Sequence, residues 1–369
     1  MFSEEHLYSI ALRRTNLIGD INFQKLVEAV GSAKEVWEIS KSGLRDISGI
    51  GSKISKEIGN SEHLKFAENE LKFCEKNNIQ ICLRHKNQLP KLLNECEDAP
   101  AVLYKKGIFD ENKRKISIVG TRNITTYGKL FIEELTEALK TQNCITISGL
   151  ALGADAEVHH FSIKNKIDTT GVLAHGFHTF YPTKNKKLST EILELGGCLF
   201  TEFNSSQKPD RENFIQRNRL IAGLSPATIV VESAFGGGSM STATFANNYN
   251  RDVFALPGKI SDKYSQGCNQ LIFQNKAQII STIDLLLENL RFSEPKEKTA
   301  DLFPKSEIRK LMTETQEIIY NVIAQNPKIT LDDLAQKLEQ PSFKISNIIL
   351  ELELLGLLKT FSGKQFSTI

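Results

Sequence analysis

The sequence predicts an α/β protein: a doubly wound parallel sheet, with a small all-helical region before it and a winged helix after it. Three patterns carry that expectation. Short apolar, β-branched runs alternate with helical stretches through the middle of the chain, the mark of βαβ units and a parallel sheet. Residues 1–70 have helical periodicity. A charged, aperiodic stretch at 291–310 containing two prolines is followed by three more helical patterns and a small hairpin, the layout of a winged helix-turn-helix. A chain of 369 residues holds two or three domains at about 100–200 residues each. The boundaries fall at 1–70, 71–290 and 311–369, with 291–310 as linker.

Taken in order, the first informative segment is LRDISGIGSKISKEI, with apolar residues at 44, 47, 50, 54 and 58 and with Gly49 and Gly51 bracketing Ile50. A Gly-apolar-Gly turn between two helices is a helix–hairpin–helix, whose turn amides can face a phosphate. The same pattern also serves as a helical packing module without nucleic-acid contact, and the residues leave both readings open. The preceding LIGDINFQKLVEAVGSAKEVWEI reads as a degenerate first copy. The strand runs are ISIVG (116–120), CITISG (144–149), TTGVLA (169–174), CLFTE (198–202), TIVVE (228–232) and VFALPG (253–258); IQICL (79–83) and AVLYKKG (101–107) add edge strands.

Composition narrows the function classes. Hydrophobic residues make up 40% of the chain, enough for a sizeable core. No run of eighteen apolar residues exists, so no transmembrane helix is expected. The start, MFSEEHLYSI, has acids where a secretory leader has bases, and a cytoplasmic location is the expectation. Six cysteines lack any C-x-x-C pairing and read as reduced, mostly buried thiols. His175 and His178 form one H-x-x-H with no third ligand nearby, so neither metal nor cofactor is expected. A net charge of +2 means that a polyanion must be held by local clusters and not by a global field. Lys outnumbers Arg 34 to 12, yet Arg211, Arg217 and Arg219 fall within nine residues, as where forked guanidinium groups are needed.

Ligands of open parallel sheets bind outside the carboxyl ends of the strands. Those ends carry Gly120-Thr121-Arg122, then Ser148-Gly149 with Gly153 and Asp155, then His175-Gly176 and Tyr181-Pro182, then Phe235 to Ser239, and Pro257-Gly258. Neither G-x-G-x-x-G nor a P-loop is present. Arg122 stands where a backbone would approach a phosphate, or alternatively pairs with a carboxylate. Gly236, Gly237 and Gly238 precede Ser239, Ser241 and Thr242 at a helix start, a combination suited to anions. In FIQRNRLIAGLS, Arg217 shares a helix face with Phe214 and Ile221, while Arg219 projects about 200° away. The two cannot serve one phosphate; one reaches the ligand and the other an internal carboxylate, with Glu202 and Glu232 as candidates. Lys184, Lys186 and Lys187 follow Tyr181-Pro182 as either a solvated face or the wall of a polyanion groove. No spacing suggests a nucleophile, and His159-His160 fall on a helix where they pack or cap.

Seven collinear segments, IVGTRNITTYG, ISGLALGADAEVHH, GFHTFYPTKNKKL, TEFNSSQKPDRENFIQRNRLIAGLS, VVESAFGGGSMSTATFA, RDVFALPG and GCNQLI, resemble the bacterial DNA-processing protein A family, also called Smf, over essentially the whole chain. The resemblance implies a Rossmann-like single-stranded DNA-binding domain between a SAM-like N-terminal domain and a winged helix. It also implies protection of incoming single strands in natural transformation, loading of RecA recombinase, dimerisation through the Rossmann-like domain, and no catalytic activity. Residue by residue, it implies DNA contacts at Gly120, Thr121 and Arg122, at Ser148 and Gly149, at Arg217, Asn218 and Arg219, and at Gly238 and Ser239. Ile272 and Phe273 become candidates for the dimer surface or the core. Two departures matter. Leu152-Gly153-Ala154-Asp155 replaces the family's Arg-Gly-Ile-Asp, and Thr183 follows Tyr-Pro where a base is usual, leaving that role to Lys184.

A groove of amides, hydroxyls and scattered bases reads backbone and not sequence; Phe214, Phe177 and Phe235 are the candidate stacking platforms. Residues 306–369 hold 7 Lys/Arg and 8 Asp/Glu. A duplex-reading winged helix presents a basic stripe, so this one is expected to contact protein. The rival reading is an enzyme, a phosphoribohydrolase acting on nucleoside monophosphates. Its glycine turn requires a Glu that GGGSMSTATF lacks.

Overall fold

The computed structural model describes residues 2–45, 47, 50–292, 312–355, 357–361 and 365–368. Gly49 of the proposed hairpin turn and nearly all of the 291–310 stretch lie outside the described residues. The chain divides into two compact units, Met1–Glu294 and Pro295–Ile369.

The first unit is organised by a nine-stranded sheet. Its strands are β1 (Gln80–Leu83), β2 (Val102–Gly107), β3 (Arg114–Val119), β4 (Cys144–Ser148), β5 (Asp168–Val172), β6 (Cys198–Thr201), β7 (Ala227–Val230), β8 (Asp252–Ala255) and β9 (Gln278–Ile279). Their order is β1-β2-β6-β5-β4-β3-β7-β8-β9. All neighbours run parallel except β2, which is antiparallel to both β1 and β6. The order reverses direction at β3, which lies between β4 and β7, so a switch point opens beyond the ends of β3 and β7.

The helices are α1 (Glu4–Arg14), α2 (Asp20–Val30), α3 (Ala33–Glu38), α4 (Lys41–Arg45), α5 (Ser52–Glu57), α6 (Ser61–Lys76), α7 (Lys91–Asn94), α8 (Thr126–Leu139), α9 (Ala154–Lys164), α10 (Lys186–Glu194), α11 (Arg211–Gly223), α12 (Gly238–Asn248), α13 (Gln266–Phe273) and α14 (Ile283–Asn289). Local chemistry sets their starts: Ser32, Thr125, Asp210 and Thr282 each accept a backbone N–H of the first turn.

Alternation along the strands builds a core on each face. Ile116, Ile118, Ile229 and Phe254 pack with α8, α9 and α14, whereas Val119, Ile147, Val230 and Ala255 pack with α11 and α12. A third core joins α1–α6 to β1 and β2 through Leu12, Phe23, Ala67, Ile81, Val102 and Tyr104. All six cysteines are buried and unpaired, and burial pushes every thiol up. Among the described residues no helix is long and apolar enough to cross a membrane.

In the second unit the helices Glu314–Gln325, Leu331–Leu338 and Ser342–Leu354 pack on a three-stranded sheet, β10 (Ile329–Thr330), β12 (Gln365–Thr368) and β11 (Leu358–Phe361), in that spatial order. Ile319, Ile323, Leu334, Ile345, Leu352 and Phe366 form its separate core.

Candidate nucleic-acid interface

At the switch point the loops after β3 and β7, together with α11 and α12, enclose a cavity of about 590 Å³. Its titratable lining consists of Arg122, Arg211, Arg217, Lys263, Tyr264 and a single carboxylate, Asp155. The excess of fixed cations over carboxylates suits a phosphate chain.

Gly120, Thr121 and Arg122 form the wall that leaves β3. A Cβ on Gly120 would lie 2.7 Å from that of Ala154, so the turn rests directly on the start of α9. The backbone of this wall is braced by Gly153. At φ +77°, its Cα approaches so closely that a Cβ would sit 2.4 Å from Thr121 O and 2.5 Å from Arg122 O, and the adjacent Ala154 N–H donates to Thr121 O at 3.0 Å. Arg122 itself is exposed, its guanidinium carbon 4.9 Å from the centre of the Phe214 ring.

Opposite stand the glycine turn and the first residues of α12. The N-terminus of α12 opens here at Gly238, where unpaired amides and the helix dipole favour an anion. Asn218 also lines the cavity and donates to Gly238 O at 3.1 Å and Ser241 Oγ at 2.9 Å, tying α11 to that terminus. Ser239 is buried and donates to Ser233 Oγ at 2.8 Å.

Four more of the expected contacts are buried. Arg217 is 3% exposed; its Nη1 donates to Gly149 O and Val172 O at 2.5 and 2.6 Å, and among the described residues its Nε has no partner. Burial drives the guanidinium down, to about 10, while Asp155 pulls it up; it remains cationic at neutral pH. Arg219 is also buried, bonded to Glu202, to Asp20 and to the carbonyl of Asp98. Of the pair, Arg219 is the one that meets the internal carboxylate, whereas Arg217 lines the floor of the cavity with its Nη1 taken up by the two carbonyls. Glu202 is the internal carboxylate, whereas Glu232 accepts from the Thr125 N–H and Oγ–H at the start of α8. Ser148 is fully buried, donating to Ile118 O at 2.7 Å. Gly149 offers its carbonyl to Arg217, and a Cβ there would strike the Arg217 side chain.

The aromatic candidates separate. Phe214 lines the cavity and meets the Tyr181 ring edge-on at 5.9 Å, and together with Arg122 it also borders a neighbouring cavity that holds Tyr181, Pro209 and Asp210. Phe235 is 70% exposed. Phe177 is instead packed against the cores under α6 and α10, which removes it as a platform. Lys184 is exposed on a short turn and is not part of the cavity lining. Ile272 is half-buried against the core, whereas Phe273 projects into solvent.

His175 and His159 serve the fold. The Tyr181 N–H donates to His175 Nε2 at 3.1 Å, and Nδ1 faces Gly176 O at 2.9 Å; burial pushes this ring down. His159 is buried beside Thr169. Among the described residues no cluster of three His, Cys, Asp or Glu side chains could hold a metal ion. Sequence reasoning missed Lys263, Tyr264 and the brace at Gly153. The first two lie eight and nine residues beyond β8, further than a strand-end reading extends.

The chain matches the model of the family described as DNA recombination-mediator protein A over residues 80–291. Protein Smf of Escherichia coli is 31% identical over 303 residues, covering 81% of this chain and 80% of the relative. DNA processing protein DprA of Bacillus subtilis is 40% identical over 214 residues, covering 56% and 72%. Among solved structures, DNA processing protein A from Streptococcus pneumoniae aligns with a TM-score of 0.65 at 27% identity, over 78% of this chain and 98% of that one. DNA processing protein A from Helicobacter pylori, described for its single-stranded DNA binding mode, gives 0.52 at 28% identity over 58% and 95%.

Proposed function

Because the chain belongs to the DNA recombination-mediator protein A family, we propose that it binds single-stranded DNA non-specifically in the switch-point groove, protects incoming strands in natural transformation and helps to load RecA recombinase. It acts in the cytoplasm as a homodimer, with Phe273 and the neighbouring Ile272 at the dimer surface, and carries out no chemistry on the strand. Residues 1–70 are a SAM-like, helix–hairpin–helix-like domain, 71–290 the Rossmann-like DNA-binding domain, and 311–369 a winged helix that contacts protein and not duplex DNA.

The observation that carries this reading is the lining of the cavity: cations on long side chains (Arg122, Arg211, Lys263) beside a glycine turn and a helix N-terminus. Such a set grips phosphates without reading bases. Gly120, Thr121, Arg122, Asn218 and Gly238 touch the backbone; Arg217 and Ser239 form the floor of the groove; Ser148, Gly149 and Arg219 shape it from behind; Phe214 stacks on a base; and Lys184 extends the path. The enzyme reading is disfavoured by the glycine turn, which lacks the required Glu; Glu232, which precedes that turn, has its carboxylate taken up by Thr125.

The test is fluorescence anisotropy with labelled oligo-dT and a matched duplex over a salt series. Tight single-strand binding, a steep salt dependence and its collapse in Arg122→Ala are expected, with the salt slope falling by about 0.7 for each phosphate contact removed. Equal or absent binding to both DNAs overturns the reading. A chain ending at Glu294 keeps whatever weak duplex affinity the full chain has.

A further inference from the structure

Between Thr201 at the end of β6 and Arg211 at the start of α11, the chain crosses nine residues without helix or strand. This connection carries Lys208, which is exposed, and delivers Arg211 and Phe214 to the groove. Such a segment has few backbone bonds of its own to hold it.

It is held from outside. The Ser205 N–H donates to Glu70 Oε1 at 2.7 Å, and Ser205 Oγ donates to Glu70 Oε2 at 2.5 Å. Glu70 belongs to α6 and is 3% exposed. Among the described residues its carboxylate has no cationic partner, only this one serine. The far side of the connection is gripped by the loop after β5. There the Gly176 N–H donates to Gln207 O at 2.9 Å and the His178 N–H to Ser205 O at 3.1 Å. The His178 ring in turn meets Phe73 of α6 edge-on. Beyond the connection, Arg219 of α11 bonds Asp20 of α2 at 3.2 Å.

A buried carboxylate without a cation is costly, and a leucine would fill the same space without that cost. What the carboxylate adds is two directed acceptors aimed at one residue of the connection. We propose that Glu70 is a positioning residue of the DNA site: through Ser205, the N-terminal helices hold residues 202–210 in the shape that presents Lys208 and Arg211 to the phosphates of the strand. The helical region is then part of the frame of the groove. This rests on the single-stranded DNA reading above.

The test uses the full chain with Glu70→Leu, Ser205→Ala and Glu70→Gln, and a Lys208→Ala/Arg211→Ala pair, each assayed by oligo-dT anisotropy over a salt series and by hydrogen exchange. Glu70→Leu is expected to expose the amides of 203–210 to exchange and weaken binding about tenfold, lowering the salt slope by about 1.4, the share of two phosphate contacts. The lysine–arginine pair shows the same loss, and adding Glu70→Leu to it costs nothing further. Glu70→Gln, which keeps an acceptor for the Ser205 N–H, recovers most of the affinity. Should Glu70→Leu fail to fold, Ser205→Ala carries the test with a smaller loss of the same kind. Wild-type affinity and slope in a folded Glu70→Leu or Ser205→Ala protein overturn the proposal. If the wild type binds no single strand, the DNA reading falls; unchanged exchange at 203–210 then removes the clamp as well.

Discussion

The Arg122 guanidinium lies over the face of Phe214 with its central carbon 4.9 Å from the ring centre, and that of the buried Arg217 lies 5.7 Å from the same centre. Phe214 is therefore a ring held by two cations at the border of two cavities. Aromatic stacking is worth about 1–3 kcal/mol per base in single-strand binding. Phe214→Ala is expected to lose an amount in that range with oligo-dT and much less with an abasic strand of equal length. Equal losses on both strands would show that the ring serves only to place Arg122.

Gly153 combines a left-handed φ of +77° with a backbone approach that leaves no room for a Cβ beside Thr121 and Arg122. Any side chain must both strain its own backbone, at about 1–3 kcal/mol, and push the wall after β3 outward. Gly153→Ala should therefore lower single-strand affinity as much as Arg122→Ala does. Urea unfolding and anisotropy on the same sample check this; intact affinity in a destabilised variant would place the strain elsewhere.

Arg219 and Glu202 are 7% and 2% exposed at their side chains. Removing one member of such a pair typically costs about 3–5 kcal/mol, because the other charge stays buried. Arg219→Met is expected to fall in that range by denaturant unfolding, and Arg219→Met/Glu202→Leu to recover part of the loss. Since Arg219 also bonds Asp20, exchange protection in α2 should fall in the single variant.

His159 is fully buried, and burial together with Arg217 holds its ring down to about 3. In the unfolded chain a histidine takes up its proton near pH 6.5, and each tenfold change in proton affinity corresponds to about 1.4 kcal/mol. The sign follows: the stabilisation from the neutral ring is complete above 6.5 and is lost as pH falls toward the folded value. Burial raises Glu70, Asp155 and Glu202, which act in the opposite sense, so the difference between two proteins isolates the histidine. Between pH 7 and 5, His159→Gln should lose less stability than the wild type, measured as urea midpoints at each pH. Parallel profiles would rule out His159 as the origin.

Much of this architecture was legible along the chain. The first eight strands of the large sheet fall within three residues of the apolar runs, because strands covered on both faces read as short continuous apolar and β-branched stretches. β9 was not legible, since its two residues are both exposed and carry no alternation. The groove was readable at Gly120–Arg122 and Gly238, where small residues follow a strand. The fates of Arg217 and Arg219 were only half readable. Helical spacing separates their faces, but whether a face is covered depends on groups far away in sequence: Asp20 for one, Val172 and Gly149 for the other. Phe177 illustrates the same limit, since the placement of α6 and α10 decides that it packs against the core.

The buried thiols make the chain its own reporter. All six cysteines fall between residues 74 and 268, and none occurs in Pro295–Ile369. A thiol reagent added to the native protein therefore reads opening events of the first unit alone, with the second silent. The residues are spread over α6, β1, the segment after α7, β4, β6 and α13. Mass-resolved labelling rates would rank those elements by opening free energy without a tag or an added probe.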